Sequence, residues 1–256
     1  MQQTFYKYQG TGNDFVMIDN RHGAFNKQDT QRVIALCDRR FGVGADGLIL
    51  IENHEDLDFE MIYFNADASK SFCGNGARCA VAFAKQLGII KDKTTFLAID
   101  GVHKAIVDNG IVKLHMGDVD VVEHHKNHVF LNTGSPHHVQ LEDHIDTFDI
   151  KALGAKIRYG APYNDAGSNV NFVKKIDDTT FRVRTYERGV ENETLSCGTG
   201  VTAVAIAMHS SKLTTLNTLN LNVEGGKLQV SFDAQNDTYS NIWLNGPATL
   251  VFEGRI

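Results

Sequence analysis

The sequence is poor in proline and cysteine, and it has no long apolar run. Its 256 residues include 3 prolines, 1 tryptophan and 4 cysteines. The cysteines, at positions 37, 73, 79 and 197, form no C-x-x-C pair and are too few for a disulfide scaffold, so we expect free thiols. No apolar run approaches the ~20 residues of a transmembrane helix, and the N-terminus lacks signal-peptide features. These absences predict a cytoplasmic protein with no membrane partner.

Positive charge is also scarce. The formal net charge is −6, and neither half of the chain has a basic stripe with interleaved aromatic residues, which argues against a nucleic-acid partner. Hydrophobic residues make up 42% and charged residues 22% of the chain, as in ordinary globular proteins. The length allows one large domain or two of about 125 residues, each with its own core.

Two of the cysteines stand in nearly the same local sequence, once in each half of the chain. Residues 71–76 are SFCGNG and residues 195–200 are LSCGTG, which places Cys73 and Cys197 about half the chain apart. Each Cys-Gly-x-Gly begins an alanine-rich run with apolar residues on more than one helical face. Such a run predicts a helix that its own sheet surrounds. The duplication therefore predicts two related domains, each presenting one thiol.

The segments around the cysteines also repeat. Segment 220–230 resembles segment 96–106, and we match segment 169–174 with residues 13–16. A helix is predicted over residues 30–39, with Val33, Ile34 and Cys37 on its apolar face, and another from the Cys73 loop to near Gly88. Strands are predicted over residues 15–19, 48–51, 59–64, 95–99, 104–108, 111–116 and 181–186. Short strands between glycine and asparagine turns favour a curved, mixed sheet in each half.

The repeated order of strand, cysteine, helix, strand, glycine turn and strand indicates a gene duplication. The predicted fold is α/β in the α+β sense, with two pseudo-symmetric domains. Residues 1–117 together with 247–256 form the half carrying Cys73, and residues 118–246 form the half carrying Cys197. The last strand, over residues 248–253, is expected to return to the first domain.

A cysteine at a helix N-terminus has two interpretations. It can be a small thiol packed in the core, as free cysteine often is. It can also be a thiolate, because unpaired helical N–H groups and the positive end of the helix dipole favour negative charge there. The same N-terminus favours a bound carboxylate. We prefer the second interpretation for Cys73 and Cys197, and core packing for Cys37 and Cys79.

Two other patterns are set aside. Residues 42–47, GVGADG, match G-x-G-x-x-G, but a helix precedes them and a strand follows, the reverse of the order that binds a dinucleotide. The histidines could ligate a metal, but segment 123–128 is typical of a polar, solvated turn, and we predict no metal site. The five histidines of this group are His124, His125, His128, His137 and His138.

Polar residues at predicted turns and strand ends form a third signal. They are Asn13, Asn65, Asn169, Glu187 and Arg188. Each asparagine alone could cap local backbone. Together, these amides with one acid and one base are what an amino-acid zwitterion requires, because a carboxylate needs donors and an ammonium group needs acceptors.

On these motifs the chain resembles the diaminopimelate epimerase family over essentially its whole length. The matching segments are 10–15, 40–47, 63–67, 72–79, 186–189 and 194–200. The resemblance implies two barrel-like sheets, each wrapped around a central helix, and an isomerase that interconverts LL- and meso-diaminopimelate without metal or pyridoxal phosphate. It further implies a role in lysine and peptidoglycan precursor synthesis, and related proteins suggest a homodimer.

Carried over by position, the resemblance makes Cys73 and Cys197 the two acid–base thiols. Inversion of a stereocentre by proton transfer needs a group on each face, and the two groups exchange roles. The substrate-binding residues implied are Asn13, Asn65, Gly74, Asn75, Asn169, Glu187, Arg188, Gly198 and Thr199. Ser135 and His137 are further candidates.

The chain departs from the family pattern at two positions. Ser135 stands where many members have asparagine, and Gly47 stands where some have glutamine. Three alternatives remain open: a proline or hydroxyproline racemase, a thiol-redox protein using a reversible Cys73–Cys197 disulfide, and a binding module without catalysis. The distal head-group candidates Glu187 and Arg188 argue against the first, because proline has no second head group.

Overall fold

The computed structural model describes residues 2–147 and 149–256; residues 1 and 148, which the predicted domains include, lie outside it. The chain forms two compact units, Met1–Leu114 with Gly246–Ile256, and His115–Asn245. The helices are α1 (Thr30–Cys37), α2 (Gly74–Gln86), α3 (Ile150–Tyr159) and α4 (Gly198–Ser210). The strands are β1 (Thr4–Gly10), β2 (Asn13–Asp19), β3 (Gly47–Glu52), β4 (Phe59–Asn65), β5 (Lys93–Ala98), β6 (Gly101–Asp108), β7 (Ile111–His115), β8 (Val122–His124), β9 (Val129–Asn132), β10 (Pro136–Leu141), β11 (Asn169–Lys175), β12 (Thr180–Glu187), β13 (Asn192–Thr194), β14 (Thr218–Val223), β15 (Gly226–Gln235), β16 (Thr238–Pro247) and β17 (Thr249–Arg255).

The first unit is a mixed sheet that α2 packs against. Its strands are hydrogen-bonded in the order β17-β1-β2-β3-β4-β5-β6-β7, with parallel pairing for β2–β3 and β4–β5 and antiparallel pairing elsewhere. The predicted return of the last strand is confirmed, because β17 pairs with β1. The predicted strands of this half are all confirmed, with ends that lie within three residues of the predicted ones.

Helix α2 is buried on nearly every side, as its all-round apolar sequence predicts. It contacts β1, β2, β3, β4 and β6, and residues 74–81 along with Phe83 and Ala84 are buried. The sheet packs against one helix on each face, because successive side chains of a strand point to opposite faces. Phe15 and Ile49 point toward α2, where both lie close to Gly76. Val16 and Leu48 point to the other face, against α1.

The prediction for α1 was partly wrong. The helix ends at Cys37, two residues before the predicted end, because Asp38 takes an extended conformation. Val33 and Cys37 are buried as expected, but Ile34 is 40% exposed and Leu36 is buried in its place. A 3.6-residue period puts Val33, Leu36 and Cys37 on one stripe and turns Ile34 away from it.

The second unit has the same pairing pattern as the first. Its strands follow the order β8-β9-β10-β11-β12-β14-β15-β16, with parallel pairing for β10–β11 and β12–β14 and antiparallel pairing elsewhere. The short β13 pairs with the end of β12. Helix α4 contacts β9, β10, β11, β12, β14 and β15. The predicted fold class, two repeated α+β domains each built from a mixed sheet and a central helix, is confirmed.

The repeated hairpins are also confirmed. The β5–β6 pair closes at Ala98 and Gly101, and the β14–β15 pair closes at Val223 and Gly226. Both turns have two residues, and Gly101 and Gly226 both have positive φ, at 132° and 141°. Glycine tolerates this backbone conformation at no steric cost, which explains the glycine turn that the sequence repeats.

One proposed match between the halves was wrong. Segment 169–174 is β11, and its parallel partner β10 shows that it corresponds to β3 rather than to the segment beginning at Asn13. In the registers, Phe15 pairs with Gly47 as His137 pairs with Asn169. The counterpart of Asn13 is therefore Ser135. The similarity that suggested the match was an asparagine followed by apolar residues, which both parallel strands share.

Helix α3 and strands β8, β9 and β10 were not predicted. Asp149 caps α3 by accepting a hydrogen bond from the N–H of Ala152 at 3.0 Å. The helix packs on the sheet face opposite α4, against Val170, Phe172 and Tyr186. None of the helices in residues 2–147 and 149–256 is long and apolar enough to span a membrane.

An ion cluster fixes the start of β2. Asp14 pairs with Lys7 at 2.8 Å and with Arg39 through two hydrogen bonds of 3.0 and 2.7 Å, and it accepts from the N–H of Asp46. Burial raises the pKa of the Asp14 carboxyl, but the hydrogen bonds from Arg39 and Lys7 outweigh it and lower the pKa to about 2. The cluster ties β1, β2 and the segment after α1 together next to Asn13.

The first prediction concerns the acid stability of this cluster. A folded pKa below the ordinary value of 3.8 means that ionised Asp14 stabilises the fold above about pH 4, and that this stabilisation is lost as pH falls toward 2. We expect Asp14→Asn to lower the free energy of unfolding at pH 6 by about 1–2 kcal/mol. Urea titrations from pH 6 to pH 2 should show the difference from wild type shrinking with acidity.

The control is Asp92→Asn. Asp92 pairs with Lys85 at 3.0 Å, but its side chain is 73% exposed, so little change is expected at any pH. If Asp14→Asn kept the same deficit at pH 2 as at pH 6, the charge of Asp14 would not be the source of the stabilisation.

Candidate active site

Cys73 is the N-cap of α2. Its backbone is extended, at φ −134° and ψ 113°, and its carbonyl accepts the first helical hydrogen bond, from Ala77. Its sulfur accepts from the N–H of Gly76 at 3.4 Å. The sulfur therefore lies at the end of the helix where unpaired N–H groups and the positive dipole end meet.

Asn13 joins the Cys73 thiol to the polar groups around it. Its Oδ1 accepts from Cys73 Sγ at 3.4 Å and from Asn75 Nδ2 at 3.2 Å. Its Nδ2 donates to Asp46 Oδ2 at 2.7 Å, and Asp46 in turn accepts from Arg39 at 2.8 Å. Two of the predicted binding residues, Asn13 and Asn75, thus form one hydrogen-bonded group with Cys73. Asp46, which holds Asn13, was not predicted.

Asn65 forms a second group at the end of β4. Its Nδ2 donates to Ser69 Oγ at 2.9 Å and to Ser71 Oγ at 3.2 Å, and its Oδ1 accepts from the Tyr63 hydroxyl at 2.9 Å. A Cβ at Gly47 would lie only 2.4 Å from the Tyr63 ring and 2.4 Å from the carbonyl oxygen of Phe64. The Tyr63 ring therefore occupies the space that a side chain at position 47 would need.

Cys197 repeats the geometry of Cys73. It is the N-cap of α4, at φ −124° and ψ 112°, and its carbonyl accepts from the N–H of Val201. Gly198 is buried at the first helical position. The Cys197 sulfur lies 3.5 Å from the hydroxyl oxygen of Thr199. The sulfur environments therefore differ: Cys73 contacts a side-chain amide, and Cys197 contacts a hydroxyl.

His137 lies behind Thr199 and is fully buried. Its Nε2 is 2.9 Å from Thr199 Oγ1, and its Nδ1 is 3.1 Å from Asn171 Nδ2. Burial, aided by the charge of Arg188, lowers the pKa of His137 to about 3. The imidazole is therefore neutral at physiological pH. It contacts Thr199 rather than open solvent.

Asn169 organises the strand ends of the second unit. Its Nδ2 donates to Ser135 Oγ at 2.8 Å and to the carbonyl of Pro136 at 3.1 Å, while its Oδ1 accepts from the backbone N–H of Arg188 at 2.9 Å. The Arg188 guanidinium donates to the carbonyl of Ala166 at 2.9 Å. Ser135 thus hydrogen-bonds within this group despite its short side chain, and half-buried Glu187 ends β12 beside it.

Sequence reasoning missed the supporting residues. Asp46, Tyr63, Ser69 and Asn171 hold predicted side chains in place through the hydrogen bonds given above. The signal for Asn171 was present, because residues two apart in a strand face the same side and Asn169 was already a candidate. The others depend on pairings between distant segments, which one sequence does not give.

The remaining cysteines are core residues, as predicted. Cys37 is 3% and Cys79 is 0% exposed, and burial raises the pKa of Cys37 to about 11 and that of Cys79 to about 12. Both are therefore protonated and unreactive at neutral pH. All four cysteines are free thiols.

The two patterns set aside in the sequence lie outside the groups around the two cysteines, except for the side chains of Asp46 and His137. Residues 42–47 follow α1 and lead into β3, the order that argued against a dinucleotide. Residues 123–127 are exposed; residues 123 and 124 end β8 rather than belonging to the predicted turn, and residues 125–128 connect β8 to β9, whereas His137 and His138 are buried. Within residues 2–147 and 149–256, no three side chains of His, Cys, Asp or Glu are grouped as a metal site would require.

The second prediction concerns the glycine three residues after each cysteine. A Cβ at Gly200 would lie 2.6 Å from Asn171 Oδ1, an atom that hydrogen bonds hold in place, whereas at Gly76 the nearest atom is Cδ1, the end of the Ile49 side chain, at 3.1 Å. We expect Gly200→Ala to lower the unfolding free energy by about 1–3 kcal/mol. Gly76→Ala should be near neutral, because the helix-propensity gain of alanine offsets a small strain.

Urea unfolding of the two variants measures this difference, with far-UV circular dichroism to check that α2 and α4 remain intact. Equal losses for the two variants would show that the Asn171 side chain yields as readily as the end of Ile49.

Comparison with known proteins places the chain in a family. The diaminopimelate epimerase family model matches residues 5–122 and 129–251. Diaminopimelate epimerase from Flavobacterium psychrophilum is 60% identical over 253 residues, covering 98% of this chain and 99% of that protein.

Solved structures show the same fold at low sequence identity. A PhzF-family phenazine biosynthesis protein from Bacillus anthracis matches with a TM-score of 0.80 at 12% identity, covering 100% of this chain and 99% of that one. A hydroxyproline epimerase from Agrobacterium vitis, solved with trans-4-hydroxy-L-proline, matches with a TM-score of 0.69 at 14% identity, covering 100% and 92%. These likenesses concern the fold, whereas the sequence match extends along almost the whole chain and names the family. The chain belongs to the diaminopimelate epimerase family.

Proposed function

We propose that this protein is an isomerase that interconverts LL- and meso-2,6-diaminopimelate by moving a proton at one α-carbon. The observation that carries the proposal is the duplicated cysteine N-cap: two 13-residue buried helices, each beginning directly after a cysteine with the same extended backbone. The 60% identity to a named diaminopimelate epimerase supports the substrate.

The proposed chemistry uses one cysteine as thiolate and the other as thiol. The thiolate removes the α-proton from one face, and the thiol gives a proton to the opposite face, after which the two have exchanged roles. Each helix N-terminus favours the thiolate, but the dipole contributes only ~0.3–2 kcal/mol. Hydrogen bonds to the sulfur add to this: Gly76 N–H donates to Cys73, and the Thr199 hydroxyl lies 3.5 Å from Cys197.

We propose that the N-terminal amides of both helices also hold the reacting α-carboxylate. The N–H groups of Gly74 and Asn75 in one unit, and of Gly198 and Thr199 in the other, lie in the first turn, where helical N–H groups have no intrahelical acceptor. Such groups bind carboxylates well, because both the N–H directions and the dipole suit an anion. The same groups would stabilise charge that develops on the carboxylate when the proton leaves.

In this proposal, residues at the strand ends bind the distal head group of the substrate. Asn65, Asn169, Glu187 and Arg188 supply the donors and acceptors that a second carboxylate and ammonium group need. Asn13 and Ser135 stand at equivalent positions of the two units, and each hydrogen-bonds a neighbouring asparagine. His137 acts through Thr199 in this arrangement, because its ring nitrogens are taken up by Thr199 and Asn171.

The proposal has consequences for the cell. We propose that the reaction needs neither metal nor pyridoxal phosphate, as the family resemblance implies, and that the helix N-terminal amides stabilise the charge on the substrate carboxylate. Diaminopimelate chemistry implies a role in lysine biosynthesis and in peptidoglycan precursor supply, and we propose a cytoplasmic homodimer acting on a free amino acid.

The third prediction tests the two thiols. In D2O, reduced protein should replace the α-proton of LL-diaminopimelate with deuterium as the meso isomer forms, which proton NMR follows directly. Cys73→Ala and Cys197→Ala should each lower turnover by about 10²–10⁴-fold, because each removes the proton carrier of one face.

The control for this experiment is Cys37→Ala, which changes a core cysteine of α1 and should keep turnover if the variant remains folded by circular dichroism. Epimerisation by either catalytic variant at a near wild-type rate would contradict the two-thiol mechanism. Exchange with proline but not with diaminopimelate would favour the racemase alternative. No exchange with either, together with a reversible Cys73–Cys197 disulfide, would favour the redox alternative.

The fourth prediction tests the distal contact. Arg188→Met should raise the KM for diaminopimelate about tenfold or more, because a hydrogen-bonded charge on the substrate loses its partner. The matched control is Arg182→Met, since Arg182 lies on β12, the strand that leads to Arg188, but pairs with Glu224 and Asp146. Steady-state kinetics of both variants decide the point: equal constants for Arg188→Met and wild type would remove Arg188 from the site.

A further inference from the structure

Asn171 is a fully buried polar side chain that the proposed mechanism does not use. It is the third residue of β11 and lies close to Gly200 of α4. Its amide makes three hydrogen bonds: Nδ2 donates to the His138 carbonyl and to His137 Nδ1, each at 3.1 Å, and Oδ1 accepts from the Thr185 hydroxyl at 3.0 Å. A buried asparagine with all these contacts is held in one orientation.

The His138 carbonyl gives this network a direction. A backbone carbonyl can only accept, so the Asn171 atom facing it must be the NH2 group. The same nitrogen faces His137 Nδ1 and donates its second proton there. Nδ1 of a neutral imidazole that accepts a hydrogen bond carries no proton, so the proton of His137 is on Nε2. The tautomer follows from the contacts alone.

The same donor-to-acceptor order extends from His137 to Cys197. His137 Nε2–H lies 2.9 Å from Thr199 Oγ1 and donates to it, so the Thr199 hydroxyl uses a lone pair for this bond and its own proton remains to be donated. Cys197 Sγ lies 3.5 Å from that oxygen. The chain therefore runs from Asn171 through His137 and Thr199 to the sulfur, with each group donating to the next.

The equivalent positions of the first unit are apolar. The registers that equate Gly47 with Asn169 also equate Phe15 with His137 and Ile49 with Asn171. Phe15 and Ile49 both lie against Gly76 of α2, as Asn171 lies against Gly200 of α4. The polar chain is thus a feature of the Cys197 half and not a necessity of the fold.

We propose that Asn171 is a positioning residue for Cys197: by donating to His137 Nδ1 it fixes the Nε2–H tautomer, which directs the Thr199 hydroxyl proton to the Cys197 sulfur. The proposal rests on the proposed function only in taking Cys197 as a reacting thiol. A donor directed at the sulfur favours the thiolate over the thiol, as hydrogen bonds to a charged group do.

The test is Asn171→Asp, which keeps the size of the side chain and replaces the donor with an acceptor. A carboxylate at position 171 accepts from His137 Nδ1–H, so neutral His137 changes tautomer, its Nε2 accepts from Thr199, and the sulfur loses the hydrogen bond from the Thr199 hydroxyl. Nitrogen-15 NMR of the histidine side chains reports which ring nitrogen carries the proton, with His137 assigned from the spectrum of a His137→Gln variant. The spectra are compared at pH 8, after titration has shown the imidazole to be neutral.

The effect on the sulfur is read from iodoacetamide alkylation of Cys197, resolved by mass spectrometry of its peptide. We expect about tenfold slower alkylation in Asn171→Asp, with the pH profile moved to higher pH, because a hydrogen bond to the charged sulfur is lost. Cys73 of the same samples is the internal control and should react within about twofold of wild type, since Asn171 belongs to the other unit.

Variants of Thr199 keep the proposal open to refutation if Asn171→Asp does not fold. Thr199→Val should slow alkylation of Cys197 by a similar factor, whereas Thr199→Ser, which keeps the hydroxyl, should react at about the wild-type rate. The double variant Asn171→Asp with Thr199→Val should react no more slowly than Thr199→Val alone. An Nδ1–H tautomer in the wild type would overturn the proposal. An unchanged alkylation profile in a variant whose His137 has changed tautomer would overturn it equally. Neither readout requires turnover of diaminopimelate, so their result is independent of the proposed function.

Discussion

The structure depends on one constraint: a helix that is buried on all sides has only its ends available for chemistry. Helices α2 and α4 lie against most strands of their own sheets, and their sequences are correspondingly alanine- and glycine-rich. Because the first N–H groups of a helix have no intrahelical acceptor, burial leaves each N-terminus in need of polar partners. The cysteine N-caps and the amide side chains near them meet that need. The polar residues at the strand ends are therefore a consequence of where the helix begins.

The duplication repeats the backbone more faithfully than it repeats the chemistry. Both units have the same sequence of parallel and antiparallel pairings and the same cysteine N-cap, yet their equivalent strand-end residues differ. Asn13 corresponds to Ser135, Gly47 to Asn169, and Asn65 to Glu187. A duplicated scaffold supplies the common part, and the strand ends supply the differences.

The sequence was sufficient for the elements whose signal is local. The cysteine helices, the buried strand around Ile49 and the two-residue hairpin turns each carry a pattern within a dozen residues, and all are present in the structure. The match of segment 169–174 with residues 13–16 was wrong because both segments have similar residues and lie in strands that pair in parallel. Only the pairing partner of each strand shows which strands are equivalent. Ile34 was misassigned because its hydrophobicity outweighed its angular position on the helix. Asp46 and Tyr63 were missed since their roles depend on contacts between separate strands.

In the proposed mechanism, the two thiols have equal roles although their surroundings differ. An epimerase works in both directions, so neither thiol can be a much stronger acid than the other without slowing one direction. Both sulfurs lie at the N-terminus of a 13-residue buried helix, and their hydrogen-bond partners differ. Around Cys73 those partners are the N–H of Gly76, which donates to the sulfur, and Asn13 Oδ1, which accepts from it and belongs to an amide that Asp46 holds. Near Cys197 lies the Thr199 hydroxyl, and we propose that neutral His137 and buried Asn171 set the direction of its proton. Because apolar Phe15 and Ile49 stand where the second unit has His137 and Asn171, the balance that the proposed mechanism requires between the two sulfurs has to come from different residues in the two units, buried residues included.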